Sequence, residues 1–364
     1  MGGKTLRKKL KSSPASLEGI GAGKCAAIDM SCWLHKILGV LPGARQHFMA
    51  DVSGPVKAAV PVKATVVVTY IRSVFSMVKK HLGEPAVAVF DGRDHRLKLR
   101  KNAETPTYSE KKLKEMMGLV AKGKDGDLSK IEKLMPSATK VRVDVVAAVV
   151  EWARLEEKKC NEDEDGLVSK VVGALYEADW ECCMLAQEGL VDLVLTEDSD
   201  LTTLGCPVVL HSLKTGANGS GDCQLIELER SLRELGGEFG ADFDLRDLQA
   251  FSCLLGNDYC RRPAGCGEVW ASKEMKKWLD GSGTPMEDQP VQFRRAMFLF
   301  KHAPVLRVKS ANRKAYFAGD YTVELDSLTP LPGSSDRSSQ WLAGLGWDPS
   351  EDLKGGKTSR SSTI

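Results

Sequence analysis

Short β-rich runs alternate with helical patterns along this 364-residue chain, and this alternation restricts its fold more than any other feature. Strands are predicted over 25–28, 86–90, 168–175, 191–196 and 207–210. Helices are predicted over 31–38, 60–81, 177–188, 244–255 and 268–279. Strands that alternate with helices are typical of a parallel sheet covered by helices on its faces. We therefore predict an α/β fold with a central, mostly parallel sheet flanked by helices.

The composition excludes several classes of protein. Lys and Arg number 51 against 49 Asp and Glu, a formal charge of +2, which argues against a histone-like tail but leaves local segregation of charge open. The longest apolar stretch, 66–78, is too short for a transmembrane helix and contains Arg72. The N-terminus lacks the apolar segment of a secretory signal. We expect a soluble protein without a membrane partner.

The ten cysteines form neither a C-x-x-C pair nor a zinc-binding pattern with the six histidines. Such scattered cysteines in a long chain are typical of a reducing intracellular compartment. We expect free thiols that are mostly buried.

Acidic residues follow the predicted strands at the points where the strands end. They are Asp29, Asp91, Glu177, Asp198 and Asp200, and Asp179 lies two residues beyond Glu177. Because ligands bind at the carboxyl edge of open parallel sheets, these residues are expected to converge on one crevice. Asp258 lies in the turn between the last two predicted helices.

Seven carboxylates in one place repel each other unless cations neutralise them. Oxygen ligands favour Mg²⁺ or Mn²⁺ over zinc. Two such ions about 4 Å apart form the site that hydrolyses phosphodiesters in many nucleases. The pattern therefore predicts a two-metal centre.

A simpler interpretation exists for each acid taken alone, because an Asp after a strand is most often a turn former or a helix N-cap. Asp29, followed by Ser31, fits that interpretation well. Four strand ends that each carry an acid, one of them within the run T-E-D-S-D at 196–200, favour the metal centre. A haloacid-dehalogenase-like phosphatase is disfavoured because the first strand carries only Asp29 and lacks the Asp-x-Asp signature.

Basic residues follow Asp91 closely. Between residues 93 and 114 there are eight Lys and Arg against three Asp and Glu, beginning with Arg93, Arg96, Lys98, Arg100 and Lys101. The segment is either a solvated helix face or a surface for a phosphate backbone beside the metals. A second basic segment at 4–11 is either a nuclear-import signal or a plain helix surface.

The turn 256–267 contains Gly265-Cys266-Gly267 directly before a predicted helix. Backbone N–H groups at such a turn grip phosphates, although a plain glycine turn has the same pattern.

Taken together, these motifs resemble the flap endonuclease and XPG family of 5′ nucleases, which share a PIN-like fold. The resemblance extends to about residue 310, and its segments are AAIDMSCWLHK at 26–36, VFDGRDHRLKLRK at 89–101, YEADWECCML at 176–185, VDLVLTEDSDLTTLG at 191–205 and LLGNDYCRRPAGCG at 254–267. Within this family, four segments look most like the exonuclease 1 branch: CWLHK at 32–36, YEAD, TEDSDL and LTPLP at 328–332.

The resemblance implies roles for individual residues. It implies that the seven carboxylates bind the metals, that Lys98 contacts the scissile phosphate, and that His35 contacts the terminal nucleotide. Gly2 is expected near the active site. Residues 105–135 are expected to form a helical arch, and 244–280 a helix-two-turn-helix element that binds duplex, commonly with K⁺. Lys98, Asp91 and Asp198 are the residues expected to take part directly in catalysis.

Four positions depart from the family pattern. The expected arginine seven residues after Lys98 is Thr105, for which Arg100 or Lys101 could substitute. Ala174-Leu175 replaces Ala-Pro, Asn257 replaces a cysteine, and the start is MGGKTL. No sliding-clamp-binding box is found.

We predict a monomeric, nuclear 5′ nuclease of DNA repair or replication that acts on DNA with a 5′ end or flap beside duplex. Two alternatives are a catalytically weak nucleic-acid-binding homologue and an RNA-directed PIN nuclease. The predicted organisation is an N-terminal nuclease region with basic helix and arch at 1–135, an internal nuclease region at 136–240, a helix-two-turn-helix region at 241–310, and a partly disordered extension at 311–364.

Overall fold

The computed structural model describes residues 2–40, 64–91, 143–174, 177–215, 221–263 and 265–302, together with 114–115, 118–119 and 130. The basic residues at 93–101 and the C-terminal extension lie outside the described residues, as does most of the predicted arch.

The described strands form one seven-stranded sheet in the order β1-β7-β6-β5-β2-β3-β4. They are β1 Ser13–Ser16, β2 Ala26–Asp29, β3 Ala86–Phe90, β4 Val168–Gly173, β5 Leu193–Leu195, β6 Val208–His211 and β7 Asp222–Glu227. Strands β6, β5, β2, β3 and β4 are parallel to one another, whereas β7 is antiparallel to both β6 and β1. The predicted α/β fold with a mostly parallel sheet is confirmed.

Two strands were not predicted from the sequence. The run Ser13–Ser16 is short, polar and contains Pro14, a residue tolerated at the edge of a sheet. The second is β7, which begins at Asp222. That strand alternates only weakly between buried and exposed positions, so its sequence has no clear period of two.

Helices cover both faces of the sheet. Those before β4 are α1 Gly2–Lys9, α2 Leu17–Ile20, α3 Met30–Val40, α4 Ala64–Leu82 and α5 Val143–Asn161. Those after β4 are α6 Ala178–Gln187, α7 Asp200–Thr203, α8 Leu228–Phe239, α9 Leu245–Leu255, α10 Glu268–Leu279 and α11 Val291–His302. All five predicted helices are present with small shifts at their ends. Six further helices of the described chain were not predicted: α1, α2, α5, α7, α8 and α11. For α5 the reason is its valine-rich start, which does not distinguish helix from strand.

The sheet separates two hydrophobic cores. Ala27, Val87 and Val194 face a core shared with α1, α6, α9 and α10. Their neighbours Ile28 and Leu195 face the other core, which contains α3, α4 and α5. Side chains of successive strand residues point to opposite faces, so each strand contributes to both cores. Because β2, β3 and β5 are buried on both faces, they appear in the sequence as continuous apolar runs.

The predicted pair of C-terminal helices is present as α9 and α10, which pack against each other. Helix α9 begins with a capping box, in which Asp244 accepts from Asp247 N–H at 2.9 Å and Asp247 accepts from Asp244 N–H at 3.0 Å. Asp247 also accepts from Nε1 of Trp278 at 2.9 Å, which connects the start of α9 to the end of α10.

We expect Asp244→Ala to reduce the free energy of unfolding by about 1 kcal/mol, because the substitution leaves a first-turn N–H group without its acceptor. Urea denaturation followed by circular dichroism measures this loss. Asp242→Ala is the control, because Asp242 is an exposed aspartate two residues earlier. Equal stability of the two variants would contradict the role of the cap.

All ten cysteines lie among the described residues and are free thiols, six of them buried. In the parts of the chain that the structure describes, no helix has the length and apolar character needed to cross a membrane.

Candidate metal centre

Acidic residues lie at or shortly after the ends of three parallel strands in the middle of the sheet. Strand β2 ends at Asp29, which is in register with Val89 of β3, and Ile28 is in register with Leu195 of β5. Asp91 therefore follows the end of β3 on one side of Asp29, and Asp198 follows β5 on the other side. The sheet brings these three carboxylates to one edge, where the sequence analysis expected them.

Asp29 is buried and is held by two hydrogen bonds. Its Oδ1 accepts from the N–H of Cys32 at 3.1 Å, and its Oδ2 accepts from Oγ1 of Thr196 at 2.8 Å. Burial, together with the nearby carboxylates of Asp91 and Asp198, raises the pKa of Asp29 to about 6, although the two hydrogen bonds act in the opposite direction. The bond to Cys32 also closes the first turn of α3, so Asp29 acts as a helix cap in addition to any other role.

Asp198, Asp200 and Asp258 form a chain of contacts. Oδ1 of Asp198 accepts from the N–H of Asp200 at 2.9 Å, and Oδ2 of Asp200 accepts from the N–H of Asp258 at 3.3 Å. Burial raises the pKa of Asp200 well above its ordinary value, and the neighbouring Asp198 and Asp258 raise it further. Oδ1 of Asp200 is buried and has no hydrogen-bond partner within the described part of the chain.

Glu177 and Asp179 lie at the start of α6, and both are buried. Glu177 occupies the N-cap position without a capping bond from its side chain, so the cap interpretation fails for this residue. Oδ1 of Asp91 accepts from the N–H of Ala178 at 2.7 Å, which places the end of β3 against α6. Asp179 accepts from the hydroxyl of the fully buried Tyr259 at 3.4 Å.

Within the described residues, no three His, Cys, Asp or Glu side chains are arranged so that they could hold one metal ion. Oxygens of Asp29, Asp91, Asp198 and Asp200 accept hydrogen bonds from the protein instead. The chemistry of the group nevertheless suits a divalent cation. The donors are carboxylate oxygens, two of the acids have raised pKa values, and one buried oxygen of Asp200 lacks a partner.

The predicted nucleic-acid-binding residues are only partly described. His35 is exposed on α3, and partial desolvation lowers its pKa while nearby Asp91 opposes this change. Gly2 begins α1, and Gly267 is the N-cap of α10. Gly265 has a φ of 77°, a value that favours glycine. The remaining predicted residues lie outside the described part of the chain: Arg93, Arg96, Lys98, Arg100 and Lys101. Thr105 lies outside it as well, so whether Arg100 or Lys101 substitutes for the expected arginine stays a prediction.

Asn257, a departure from the family pattern, has a clear structural role in the turn after α9. Its Oδ1 accepts from the N–H groups of Tyr259 and Cys260 at 2.9 and 2.7 Å, and its Nδ2 donates to Oγ of Ser252 at 3.0 Å. An asparagine side chain therefore stabilises the turn that holds Asp258.

Sequence reasoning missed Thr196, Glu197 and Tyr259, which contact the predicted ligands or their loop. Thr196 could have been found, because a hydroxyl at the end of a parallel strand next to an acid is a good hydrogen-bond donor. Tyr259 contacts Asp179 and Nε1 of Trp180, which lie about 80 residues earlier in the chain. No short sequence motif indicates contacts between such distant residues.

A histidine near this edge has a lowered pKa. His211 is buried at the end of β6, and burial followed by the charge of Arg7 lowers its pKa to about 4. The folded state therefore keeps His211 neutral, while the unfolded chain binds a proton below a pH of about 6.5. Stability from this residue is present above that pH and is lost as the pH falls towards 4.

We expect the wild-type protein to lose about 2 kcal/mol more stability between pH 7.5 and pH 5 than His211→Gln. Denaturant unfolding at the two pH values measures the difference. His81→Gln is the control for the removal of one histidine elsewhere. If wild type and His211→Gln lost stability in parallel, His211 would not be the group responsible.

Comparison with known proteins agrees with this description. Residues 169–258 match the family model of the XPG I-region, and five of the seven predicted carboxylates lie within this range. Flap endonuclease 1 of Cryptosporidium muris is 28% identical over 270 residues, which are 71% of this chain and 50% of the relative. Flap endonuclease 1 of Bos taurus is 30% identical over 244 residues, which are 64% and 58% of the two chains. The chain spans between 50% and 58% of the length of these curated relatives.

The solved structure of flap endonuclease-1 from Methanococcus jannaschii has a TM-score of 0.51 and 18% identity, and the match covers 80% of this chain and 82% of that one. The chain therefore shares the α/β fold of that structure. Over residues 169–258 the chain is similar to the XPG I-region, and over a longer range it is similar to flap endonucleases. These relatives do not distinguish the exonuclease 1 branch, which stays a prediction.

Proposed function

We propose that this protein is a structure-specific 5′ nuclease that hydrolyses DNA phosphodiesters at a 5′ end or flap beside duplex. One observation carries the proposal. Asp29, Asp91, Asp198 and Asp200 gather at the adjoining carboxyl ends of β2, β3 and β5, and burial raises the pKa values of Asp29 and Asp200. An acidic cluster with this much mutual repulsion is suited to divalent cations.

The residues that would hold the metals are the seven predicted carboxylates, with Asp258 in a more peripheral position. Two Mg²⁺ ions, or Mn²⁺ in their place, would activate the attacking water and stabilise charge on the attacking and leaving oxygens. Thr196 would keep Asp29 oriented through its 2.8 Å hydrogen bond. Lys98 would stabilise charge that develops on the phosphate. The products would carry a 5′-phosphate and a 3′-hydroxyl.

Duplex DNA would bind at the turn between α9 and α10. The backbone at Gly265 and Gly267 leads into the N-terminus of a twelve-residue helix, where N–H groups and the helix dipole favour phosphate. K⁺ could bind at this element too. His35 would contact the terminal nucleotide beside Asp91. Contacts of this kind recognise the backbone, so binding would be largely independent of sequence.

The remaining assignments, to a monomer in the nucleus with a role in DNA repair or replication, are proposals from family resemblance. The basic segment at 4–11 gives less support to nuclear import than the sequence suggested. Arg7 and Lys9 form ion pairs with Glu197 and with Glu238 and Glu268, respectively, so part of the segment belongs to the folded protein.

The test is product analysis on end-labelled 5′-flap, nicked and blunt duplexes with Mg²⁺, beside matched RNA flaps. We expect cleavage of DNA flaps, with products longer than one nucleotide for endonucleolytic incision and mononucleotides for exonuclease action. Asp198→Ala should remove the activity. Undiminished cleavage by that variant would overturn the assignment. Flap binding without any metal-dependent product would favour the catalytically weak homologue, and preferential RNA cleavage would favour the RNA-directed nuclease.

A further inference from the structure

Glu197 lies within the acidic run at 196–200, yet its side chain contacts basic and backbone donors. Its Oε1 accepts from Nζ of Lys36 at 2.6 Å and from the N–H of Ser212 at 2.9 Å. Nη1 of Arg7 lies 3.8 Å from Oε2, and the same guanidinium donates to the backbone carbonyl of Glu197. Both carboxylate oxygens thus face cations rather than the predicted metal ligands.

The partners of Glu197 are themselves held in place. Nζ of Lys36 also donates to the carbonyl of Leu213 at 3.1 Å and lies 4.4 Å from the ring centre of Trp33. Ser212 has a φ of 56°, a left-handed conformation that non-glycine residues adopt at an energetic cost. Its N–H is the group that donates to Glu197. The contact therefore joins a strained backbone position to a lysine that is itself held by two further contacts.

The opposite side of the same loop carries the predicted ligands. Oγ1 of Thr196 donates to Asp29 and accepts from the N–H of Asp198 at 3.0 Å, and Asp198 accepts from the N–H of Asp200. The loop is thus anchored twice, through Asp29 on the side of the ligands and through Glu197 on the side of α1 and α3. Movement at Glu197 would change the positions of Asp198 and Asp200 directly.

We infer that Glu197 is a positioning residue that fixes the 196–200 loop so that Asp198 and Asp200 can bind a divalent metal. Arg7 and Lys36 are its counter-charges, supplied by two separate helices. The inference rests on the proposed function, because it assumes a metal at this edge. Residues that orient metal ligands from outside the coordination sphere typically change metal affinity by about 10–100-fold when they are removed.

The experiment compares Glu197→Ala, Glu197→Gln and Lys36→Met with Glu238→Ala. The last is a matched control, because Lys9 and Glu238 form an ion pair with the same 2.6 Å separation away from the loop. Two measurements are made without substrate. Hydrogen exchange followed by mass spectrometry reports the order of residues 196–200 in the metal-free protein, and calorimetric titration with Mn²⁺ reports metal affinity.

We expect Glu197→Ala to increase exchange in the loop and to weaken Mn²⁺ binding about tenfold. Lys36→Met should have a smaller effect in the same direction. Glu197→Gln should keep part of the affinity, because its amide oxygen can still accept from Ser212. Glu238→Ala should match the wild type in both measurements. Since Lys36→Met leaves the loop sequence intact, it tests the inference even if Glu197→Ala folds poorly.

Unchanged exchange in the loop, or increased exchange with unchanged Mn²⁺ affinity, would overturn the inference, as would a wild-type protein that binds no Mn²⁺. A different result would contradict the proposed nuclease function. A wild-type protein that binds Mn²⁺ but cleaves no flap would refute the nuclease proposal, while the variants would still decide the role of Glu197.

Discussion

Asp200→Asn is expected to lower the rate of flap cleavage by more than about 100-fold while leaving the metal-free protein at least as stable as the wild type. Loss of activity follows from the loss of a charged ligand, because even groups outside the coordination sphere typically contribute 10–100-fold to metal affinity or activity. Stability is retained because burial and two neighbouring carboxylates disfavour the ionised form of Asp200. An asparagine oxygen can still accept from the N–H of Asp258.

The two halves of this prediction are measured separately. Initial cleavage rates on a labelled 5′-flap with Mg²⁺ give the first, and thermal unfolding in EDTA gives the second. Asp192→Asn is the matched control, because Asp192 directly precedes β5, at the end opposite to the 196–200 loop, and pairs with Lys24 at 2.9 Å. That variant should cleave normally. Cleavage by Asp200→Asn within about threefold of the wild type would exclude Asp200 from the metal centre.

Gly166→Ala is expected to cause the largest loss of stability, about 2–3 kcal/mol. A Cβ atom at this position would lie 2.4 Å from the carbonyl oxygen of Glu156, 2.5 Å from Sγ of Cys160 and 2.7 Å from its backbone nitrogen. Two of these atoms belong to the backbone of α5, so the helix itself would have to move away from β4. Nothing in the packing offers a flexible side chain that could absorb the change.

Gly173→Ala is the control for this substitution. Gly173 ends β4, the strand that begins two residues after Gly166, and an added Cβ at Gly173 meets no atom within 4 Å among the described residues. We expect its stability to remain within about 0.5 kcal/mol of the wild type. Urea denaturation of both variants provides the comparison. A Gly166→Ala protein as stable as Gly173→Ala would mean that α5 can shift without cost.

The middle of the fold could be predicted because its strands have unambiguous sequences. The runs at 26–29, 86–90 and 193–195 are apolar because both of their faces are buried, and an acid follows or ends each one. The edge of the sheet could not be predicted in the same way. The strand at 13–16 carries a proline and few apolar side chains, and its pairing with residues 222–225 lies about 200 positions away.

The candidate site was predicted as a set of residues but not as an arrangement. Within T-E-D-S-D at 196–200 we predicted Asp198 and Asp200 as ligands and assigned no role to Glu197, whose tertiary contacts the sequence does not show. Those contacts come from Arg7 and Lys36, which are 190 and 161 positions earlier in the chain. For Asp29 the sequence offered two interpretations, a helix cap and a metal ligand. The structure shows the capping bond from Cys32, and the same carboxylate lies at the acidic edge of the sheet.

The first helix of the chain has a consequence for how the protein folds. Leu6 of helix α1 and Leu10, which directly follows this helix, are buried in the core that contains α9. Arg7 and Lys9 contact Glu197 and Glu238, which follow 190 and 229 residues later. Contacts between such distant positions close very long loops, which makes their formation slow. During synthesis, α1 emerges first but finds its partners only after α8 and α9 have been made. The acidic edge is therefore completed late, when nearly all of the described chain is present.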